Sequence, residues 1–206
     1  MKTIAILGFG NVGQNLAKLF NDAGYRVIVC SKSGDAGKGE YLSMNYLEGI
    51  NAADAVALAV PYQVLTELLA PLAKHLAGKT VIDCTNPLND DWSPLLLGQE
   101  TSAAEQIGKL LPDAKVIKAF NTIFADVMPK KHHDREGKKI TAFVAGDDLS
   151  AKNNILALAK NIGFAPLDVG PLSAARYLEA MAHLNIQIAV GQQGGTQAAF
   201  IYHQGN

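Results

Sequence analysis

Residues 3–13 read Thr-Ile-Ala-Ile-Leu-Gly-Phe-Gly-Asn-Val-Gly, an apolar run of β type that breaks at Gly8, Gly10 and Gly13. Apolar residues then recur at helical spacing, at Leu16, Leu19, Phe20 and Ala23. Each glycine has its own physical reason. Gly8 permits a sharp turn out of a strand, Gly10 lets a pyrophosphate approach the backbone, and Gly13 lets a helix pack closely on the strand. The free N–H groups at the start of that helix, and its positive dipole end, would face the phosphates. The chemistry expected here is dinucleotide binding.

A second position is set by the first. In a dinucleotide-binding unit the end of the second strand reads the adenosine ribose, and an Asp or Glu there bonds a free 2′-hydroxyl. In this chain that strand, residues 26–30, runs into Ser31, Lys32 and Ser33. The strand end carries no carboxylate; two hydroxyls and an ammonium can receive a 2′-phosphate through charge-assisted hydrogen bonds. The expectation is NADP(H) rather than NAD(H). Ser-Lys-Ser also suits a plain solvated turn.

Three further strand ends carry turn residues: Val60-Pro61-Tyr62, Asn86-Pro87 and Asn121-Thr122. Ligands of doubly wound sheets bind outside the carboxyl ends of strands, so these turns should rim one crevice. Pro61 and Pro87 set rigid turns, and Asn86 and Asn121 can each donate and accept. No Ser–His–Asp set, HExxH helix or Cys/His metal spacing is present. His132 and His133 read as a solvated tip. His183 sits in a final helix, where packing competes with proton transfer. Arg176 and Glu179, three apart, could pair on that helix.

Alternating strands and helices must position these residues, and they predict a Rossmann-type, doubly wound, mostly parallel sheet with a helical C-terminal extension. Strands are expected at 3–7, 26–30, 42–45, 55–60, 80–84, 115–120, 140–145 and 165–169. Helices are expected at 15–23, over the leucine stripe 65–76 with a kink at Pro71, at 102–111, at 150–162, and from a Ser173 cap to about 188. The charged stretch 130–139 reads as an exposed loop. We expect one domain over 1–206, with a small substrate-side lobe over about 140–206. The tail 191–206 suits either disorder or the covering of a partner's pocket.

The bulk composition agrees. A chain of 206 residues, 49% hydrophobic and 18% charged, fills an ordinary globular core. Its net charge of −1 carries no footprint for nucleic acid or an anionic membrane. Cys30 and Cys84 form no CxxC pair and sit in predicted buried strands, which suits a reducing cytoplasm. No signal peptide or membrane-length apolar run is expected. The last helix, with Tyr177, Leu178, Met181, Ala182, Leu184, Ile186 and Ile188, is apolar on more than one face and suggests a homodimer.

The ordered set GFGNVG, Ser31-Lys32-Ser33, Ala59-Val60-Pro61, Asp83-Cys84-Thr85-Asn86-Pro87-Leu88 and Lys118-Ala119-Phe120-Asn121-Thr122 resembles one family. Gly146-Asp147-Asp148 and Asp168-Val169-Gly170-Pro171-Leu172, with Ala175-Arg176-Tyr177-Leu178-Glu179, complete it. These are the NADP oxidoreductases of the coenzyme F420-dependent type, and the cytosolic domains of six-transmembrane metalloreductases look similar. The resemblance implies hydride exchange between NADP(H) and a flavin or deazaflavin, with the protein mainly positioning the rings. It implies that Gly8, Phe9, Gly10, Asn11 and Val12 contact the pyrophosphate and Ser31, Lys32 and Ser33 the 2′-phosphate. Val60, Pro61 and Tyr62 would meet the nicotinamide half, with Asn86, Pro87 and Asn121 in the same crevice. Other small acceptors stay open. So do a non-catalytic NADPH-binding or redox-sensing module and a β-hydroxyacid-type dehydrogenase, which needs a catalytic lysine on a longer helical domain.

Overall fold

The computed structural model describes residues 1–97 and 100–205. Strands β1 (Thr3–Leu7), β2 (Arg26–Cys30), β3 (Leu42–Met44), β4 (Ala55–Leu58), β5 (Thr80–Asp83) and β6 (Lys115–Ala119) are mutually parallel in the order β3-β2-β1-β4-β5-β6. A small hairpin follows, β7 (Asp134–Arg135) and β8 (Lys138–Lys139). Strand β9 (Thr141–Gly146) then joins β6 antiparallel, and β10 (Ala165–Asp168) joins β9 parallel, completing an eight-stranded sheet. The chain has the expected Rossmann-type fold, with helices on both faces.

Strand alternation builds two cores. Ile4 and Ile6 of β1 face one side with Val27, Val29, Ala57, Ile82 and Ile117, under helices α1 (Asn11–Asp22) and α6 (Leu149–Asn161). Ala5 and Leu7 face the other with Ile28, Cys30, Val56, Leu58, Val81 and Val116. That side is covered by α2 (Tyr46–Ala52), α3 (Leu65–Leu69), α4 (Ala73–Leu76) and α5 (Ala103–Leu110). Burial of both faces explains why these strands read as unbroken apolar runs. Each buried aliphatic side chain contributes about 1.5–3 kcal/mol against the entropy of folding. The predicted leucine-stripe helix is broken at Pro71: residues 70–72 form a 3₁₀ turn between α3 and α4, because proline cannot supply the helical N–H.

Beyond β6 the structure departs from expectation at Ser173 and at 130–139, and it decides against one of the two readings of the tail. Ser173 does not cap the last helix. Residues 172–174 form a 3₁₀ turn, and α7 (Ala175–Ile186) begins beyond it with no side-chain cap, continuing as a π-helical turn to Gly191. The tail is not disordered through Tyr202. Thr141 N–H donates to the Phe200 carbonyl at 3.0 Å, and Tyr202 N–H to Thr141 Oγ1 at 2.8 Å, so the tail runs beside the start of β9. Asn206 lies outside the described residues. The stretch 130–139 is not simply an exposed loop, since it holds the β7–β8 hairpin and buried His133. His133 Nε2 bonds the Met128 carbonyl at 2.5 Å, and its ring stacks on Phe164 at 3.9 Å. Burial pushes the His133 imidazole below its usual pKa, so it is a neutral core histidine rather than a solvated tip.

Candidate functional site

Gly8 adopts φ +101°, and a Cβ there would sit 2.5 Å from the Ala59 carbonyl oxygen. The first turn therefore requires glycine on both conformational and packing grounds. A Cβ on Gly13 would land on the Gly8 carbonyl oxygen, whereas one on Gly10 would meet nothing within 4 Å. The three glycines thus divide into two that hold backbone against backbone and one that faces open space. Helix α1 starts directly after Gly10 with no side-chain cap and no acidic residue in its first turn, so its leading N–H groups have no side-chain cap. Phe9 turns away from this opening and packs edge-on against Tyr41, with ring centroids 5.9 Å apart.

The ends of β1, β4, β5 and β6 open into a cavity of about 490 Å³. Of the residues expected to bind cofactor, Gly10, Asn11, Val12, Val60, Pro61, Tyr62, Asn86 and Asn121 line it. Gly8 and Gly13 lie beneath its wall. Pro87 does not line it: its carbonyl accepts Leu95 N–H at 2.9 Å and pairs with His183 Nε2 at 3.0 Å, anchoring the next loop. This contact accounts for His183 as a positioning group. β4 and β6 each end earlier than the apolar runs suggest. Ala59 is engaged by Gly8, and Phe120 takes φ +65°, a left-handed conformation that turns the chain at once into Asn121.

Asn86 and Asn121 lock these two strand ends together. Asn86 Nδ2 donates to the Asn121 carbonyl at 2.8 Å, and Asn121 Nδ2 donates to Asn86 Oδ1 at 2.9 Å and to the Leu178 carbonyl at 3.1 Å. Asn121 Oδ1 is left without a protein partner although the residue is buried. A buried acceptor without a donor is uncommon in folded proteins.

Directly behind this pair lies a charged network that the sequence alone did not suggest. Lys118 Nζ, fully buried, sits 2.8 Å from Asp83 Oδ2, 2.9 Å from Glu179 Oε1 and 2.6 Å from the Thr85 carbonyl. Asp83 Oδ1 also accepts the Thr85 N–H and hydroxyl, and Glu179 accepts the N–H groups of Ala103 and Ala104 at the start of α5. Burial by itself would lower the Lys118 pKa, but Asp83 and Glu179 outweigh it and hold the ammonium above its usual value. Every donor of Lys118 is used, so it braces β5, β6 and α7 behind the crevice. Strand periodicity concealed it, because a lysine in an apolar run reads as an edge position. The expected Arg176–Glu179 pair does not form. Arg176 instead clasps Glu105 with bonds of 2.7 and 2.8 Å, which ties α7 to α5.

At the end of β2, Ser31 Oγ accepts the N–H groups of Gly34 and Ala36 and shapes the loop, while Lys32 is exposed. Ser33 is not free: its hydroxyl donates to Asp35 Oδ1. A carboxylate two residues past Ser33 therefore stands beside the position expected for a 2′-phosphate, which the reading of the strand end alone had not counted. The cavity wall also includes residues that sequence reasoning passed over, chiefly Gln63, Asp90, Trp92 and Phe124. Trp92 carried a usable signal as the only tryptophan of the chain. Cys84 lines the cavity too, but burial pushes its thiol well above its usual pKa, so it is no thiolate nucleophile at neutral pH.

Among the described residues no helix is long and apolar enough to cross a membrane, and no cluster of His, Cys, Asp or Glu could hold a metal ion. The profile of the family described as NADP oxidoreductase, coenzyme F420-dependent, matches residues 3–87. The rat (Rattus norvegicus) metalloreductase STEAP3 is 31% identical over 182 residues, covering 86% of this chain, and the chain spans 36% of that relative's length. The F420-dependent NADP reductase of Methanothermobacter thermautotrophicus is 29% identical over 220 residues, covering 92% of this chain and 90% of the relative. A crystal structure from Arthrobacter sp. FB24, described as a candidate F420-dependent NADP reductase, superposes with TM-score 0.87 at 26% identity. That match covers 99% of this chain and 100% of the other. With the glycine turn, the strand-end crevice and the eight-stranded sheet all in place, the chain is similar over nearly its whole length to NADP oxidoreductases of the coenzyme F420-dependent type.

Proposed function

We propose that the protein is an NADP(H)-dependent oxidoreductase that moves hydride between NADPH and a flat acceptor of flavin, deazaflavin or similar type. The observation that carries this reading is the uncapped start of α1, opening at Gly10 into the same cavity that the β4, β5 and β6 ends enclose. Such a helix start favours a pyrophosphate through unpaired N–H groups and its dipole. Gly10, Asn11 and Val12 would hold the pyrophosphate, with Gly8, Phe9 and Gly13 shaping the turn. Ser31, Lys32 and Ser33 would hold the 2′-phosphate. Val60, Pro61 and Tyr62, with Asn86 and Asn121, would flank the nicotinamide. Pro87 serves by fixing the adjoining loop. When bound, the nicotinamide supplies the hydride; the chain's own residues position it and keep water out.

Among the described residues the lining includes no histidine, lysine or glutamate, which suits an acceptor ring that takes hydride directly and draws its proton from solvent. Lys118 is fully engaged behind the crevice, which argues against the lysine-dependent chemistry of a β-hydroxyacid-type dehydrogenase. We take residues 1–206 as one domain, with 140–206 forming the acceptor side of the crevice, and the protein as acting in the cytoplasm. The test is anaerobic NADPH oxidation against an acceptor panel, with binding followed by Trp92 fluorescence. Turnover is expected; tight NADPH binding without turnover on any acceptor would favour the non-catalytic module.

Two further results are expected. Lys32→Glu should weaken NADPH binding about tenfold while leaving NADH nearly unchanged, and Asp35→Asn should tighten NADPH severalfold by removing a charge beside the 2′-phosphate. Equal effects on both nucleotides in fluorescence titrations would refute the 2′-phosphate assignment. Helix α7 and the π-helical turn that continues it expose Tyr177, Leu184 and Ile188 along one side, and we propose that a second copy covers them. Light scattering at micromolar concentration should give a dimer; a monodisperse monomer would exclude it.

A further inference from the structure

Lys118 is surrounded by more negative charge than it can neutralise. Its Nζ meets Asp83 Oδ2 at 2.8 Å, Glu179 Oε1 at 2.9 Å and the Thr85 carbonyl at 2.6 Å, so its N–H bonds are all committed. The carboxylate oxygens are equally committed as acceptors. Asp83 Oδ1 takes the Thr85 N–H and hydroxyl, Glu179 Oε1 the Ala104 N–H, and Glu179 Oε2 the Ala103 N–H. Among these contacts no carboxylate oxygen faces an acceptor to which it could offer a proton, so both groups are ionised beside a single ammonium. The cluster therefore carries a net charge of −1. Among the described residues no other lysine or arginine pairs with either carboxylate, and Arg176 is neutralised by Glu105. The start of α5, bonded to Glu179, offers a dipole end worth roughly half a positive charge, so negative charge stays in excess.

Bracing alone does not call for this excess. One carboxylate would satisfy the ammonium, and taking a second out of water is expensive. The place of the cluster supplies a use, because it lies one layer beneath the cavity wall. Thr85, bonded to both Asp83 and Lys118, lines the cavity. So do Asn121, whose Nδ2 donates to the Leu178 carbonyl beside Glu179, and Ala182, one turn beyond Glu179 on α7. The field of the cluster reaches the wall. Burial raises the phenol pKa of Tyr62, a wall residue, and Glu179 and Asp83 raise it further, each acting more strongly than the opposing Lys118.

A dihydronicotinamide ring is uncharged, and loss of hydride leaves it a pyridinium cation. Fixed negative charge behind a water-poor wall stabilises the cation and acts little on the neutral ring. We propose that the buried Asp83–Lys118–Glu179 cluster, through its excess carboxylate, favours the oxidised nicotinamide over the reduced one and so biases bound NADPH toward giving up hydride. The proposal rests on the NADP(H) reading above, with the nicotinamide at the ends of β4, β5 and β6. The hydride leaves with both electrons of its C–H bond and passes to the flavin-type or deazaflavin-type acceptor; the cluster itself exchanges neither proton nor electron.

The test is calorimetric titration of the full chain with NADPH, NADP⁺ and 2′-phospho-ADP-ribose, which lacks the nicotinamide. Glu179→Gln and Asp83→Asn remove the excess charge at two separate positions while keeping the side-chain shape, and thermal melts identify the folded variants. In a folded variant the Kd for NADP⁺ should rise about fivefold relative to that for NADPH, with 2′-phospho-ADP-ribose following NADPH. A merely structural role would weaken all three ligands together and leave the NADP⁺-to-NADPH ratio at its native value. That result would overturn this inference and leave the NADP(H) reading intact. Failure of the native protein to bind any of the three would overturn both.

Discussion

Replacing Lys118 by alanine is expected to cost about 3–5 kcal/mol of folding stability, the range for breaking a buried ion pair by removing one partner. The cause is the pair of carboxylates left behind. Asp83 is fully buried and Glu179 nearly so, and without the ammonium each faces the other with only N–H groups and a hydroxyl as partners. Lys118→Met, which keeps the buried stem, should lose almost as much, showing that charge rather than volume decides the effect. The pH dependence concerns Lys118 itself. Its pKa is raised, so its contribution is complete at neutral pH and disappears only as pH climbs beyond the usual lysine value of 10.5. Denaturant midpoints of both variants at neutral pH, and of the native protein across alkaline pH, check these statements; a loss below about 1 kcal/mol in Lys118→Met would contradict them.

Gly10→Ala and Gly13→Ala should separate binding from folding. Gly10 has an extended backbone, φ −75° and ψ −169°, that alanine adopts freely, and its Cβ would point into open space. Its substitution should change stability by less than about 1 kcal/mol and weaken NADPH by about a hundredfold, because the methyl occupies the approach of the pyrophosphate. Gly13→Ala drives a methyl into the Gly8 carbonyl, and α1 can yield only by shifting off β1. It should cost about 3 kcal/mol of stability, the upper part of the range for overpacking, as well as nucleotide affinity. Thermal melts paired with NADPH titrations distinguish the two. If Gly10→Ala binds NADPH normally, the pyrophosphate does not lie at this turn.

The legibility of this protein divides along physical lines. The parallel strands were readable because burial on both faces forces continuous apolar runs, as in residues 3–7 and 55–58. The glycine turn was readable because its constraints are local: a positive φ at Gly8 and a close approach at Gly13 are settled within a few residues. Element ends were less legible. Ala59 and Phe120 continue apolar runs, yet one is claimed by contact with Gly8 and the other by a left-handed backbone. Ser173 had the chemistry of a helix cap, but a 3₁₀ turn at that position left the helix to start without one.

The side-chain partners were not legible at all, because each depends on residues far apart in the chain. Arg176 had a plausible neighbour at Glu179, but tertiary packing gave it Glu105 and gave Glu179 to Lys118. His133 looked solvated from its charged neighbours and is stacked on Phe164 instead. Sequence alone determined that this chain folds as a Rossmann-type sheet with a glycine turn at Gly8, Gly10 and Gly13, since periodicity and glycine spacing are local properties. Only the tertiary structure decided what surrounds the cavity. It joined Asp35 to the Ser33 hydroxyl, locked Asn86 to Asn121, and set Asp90 and Trp92 on the cavity wall, because those placements depend on where separate segments meet.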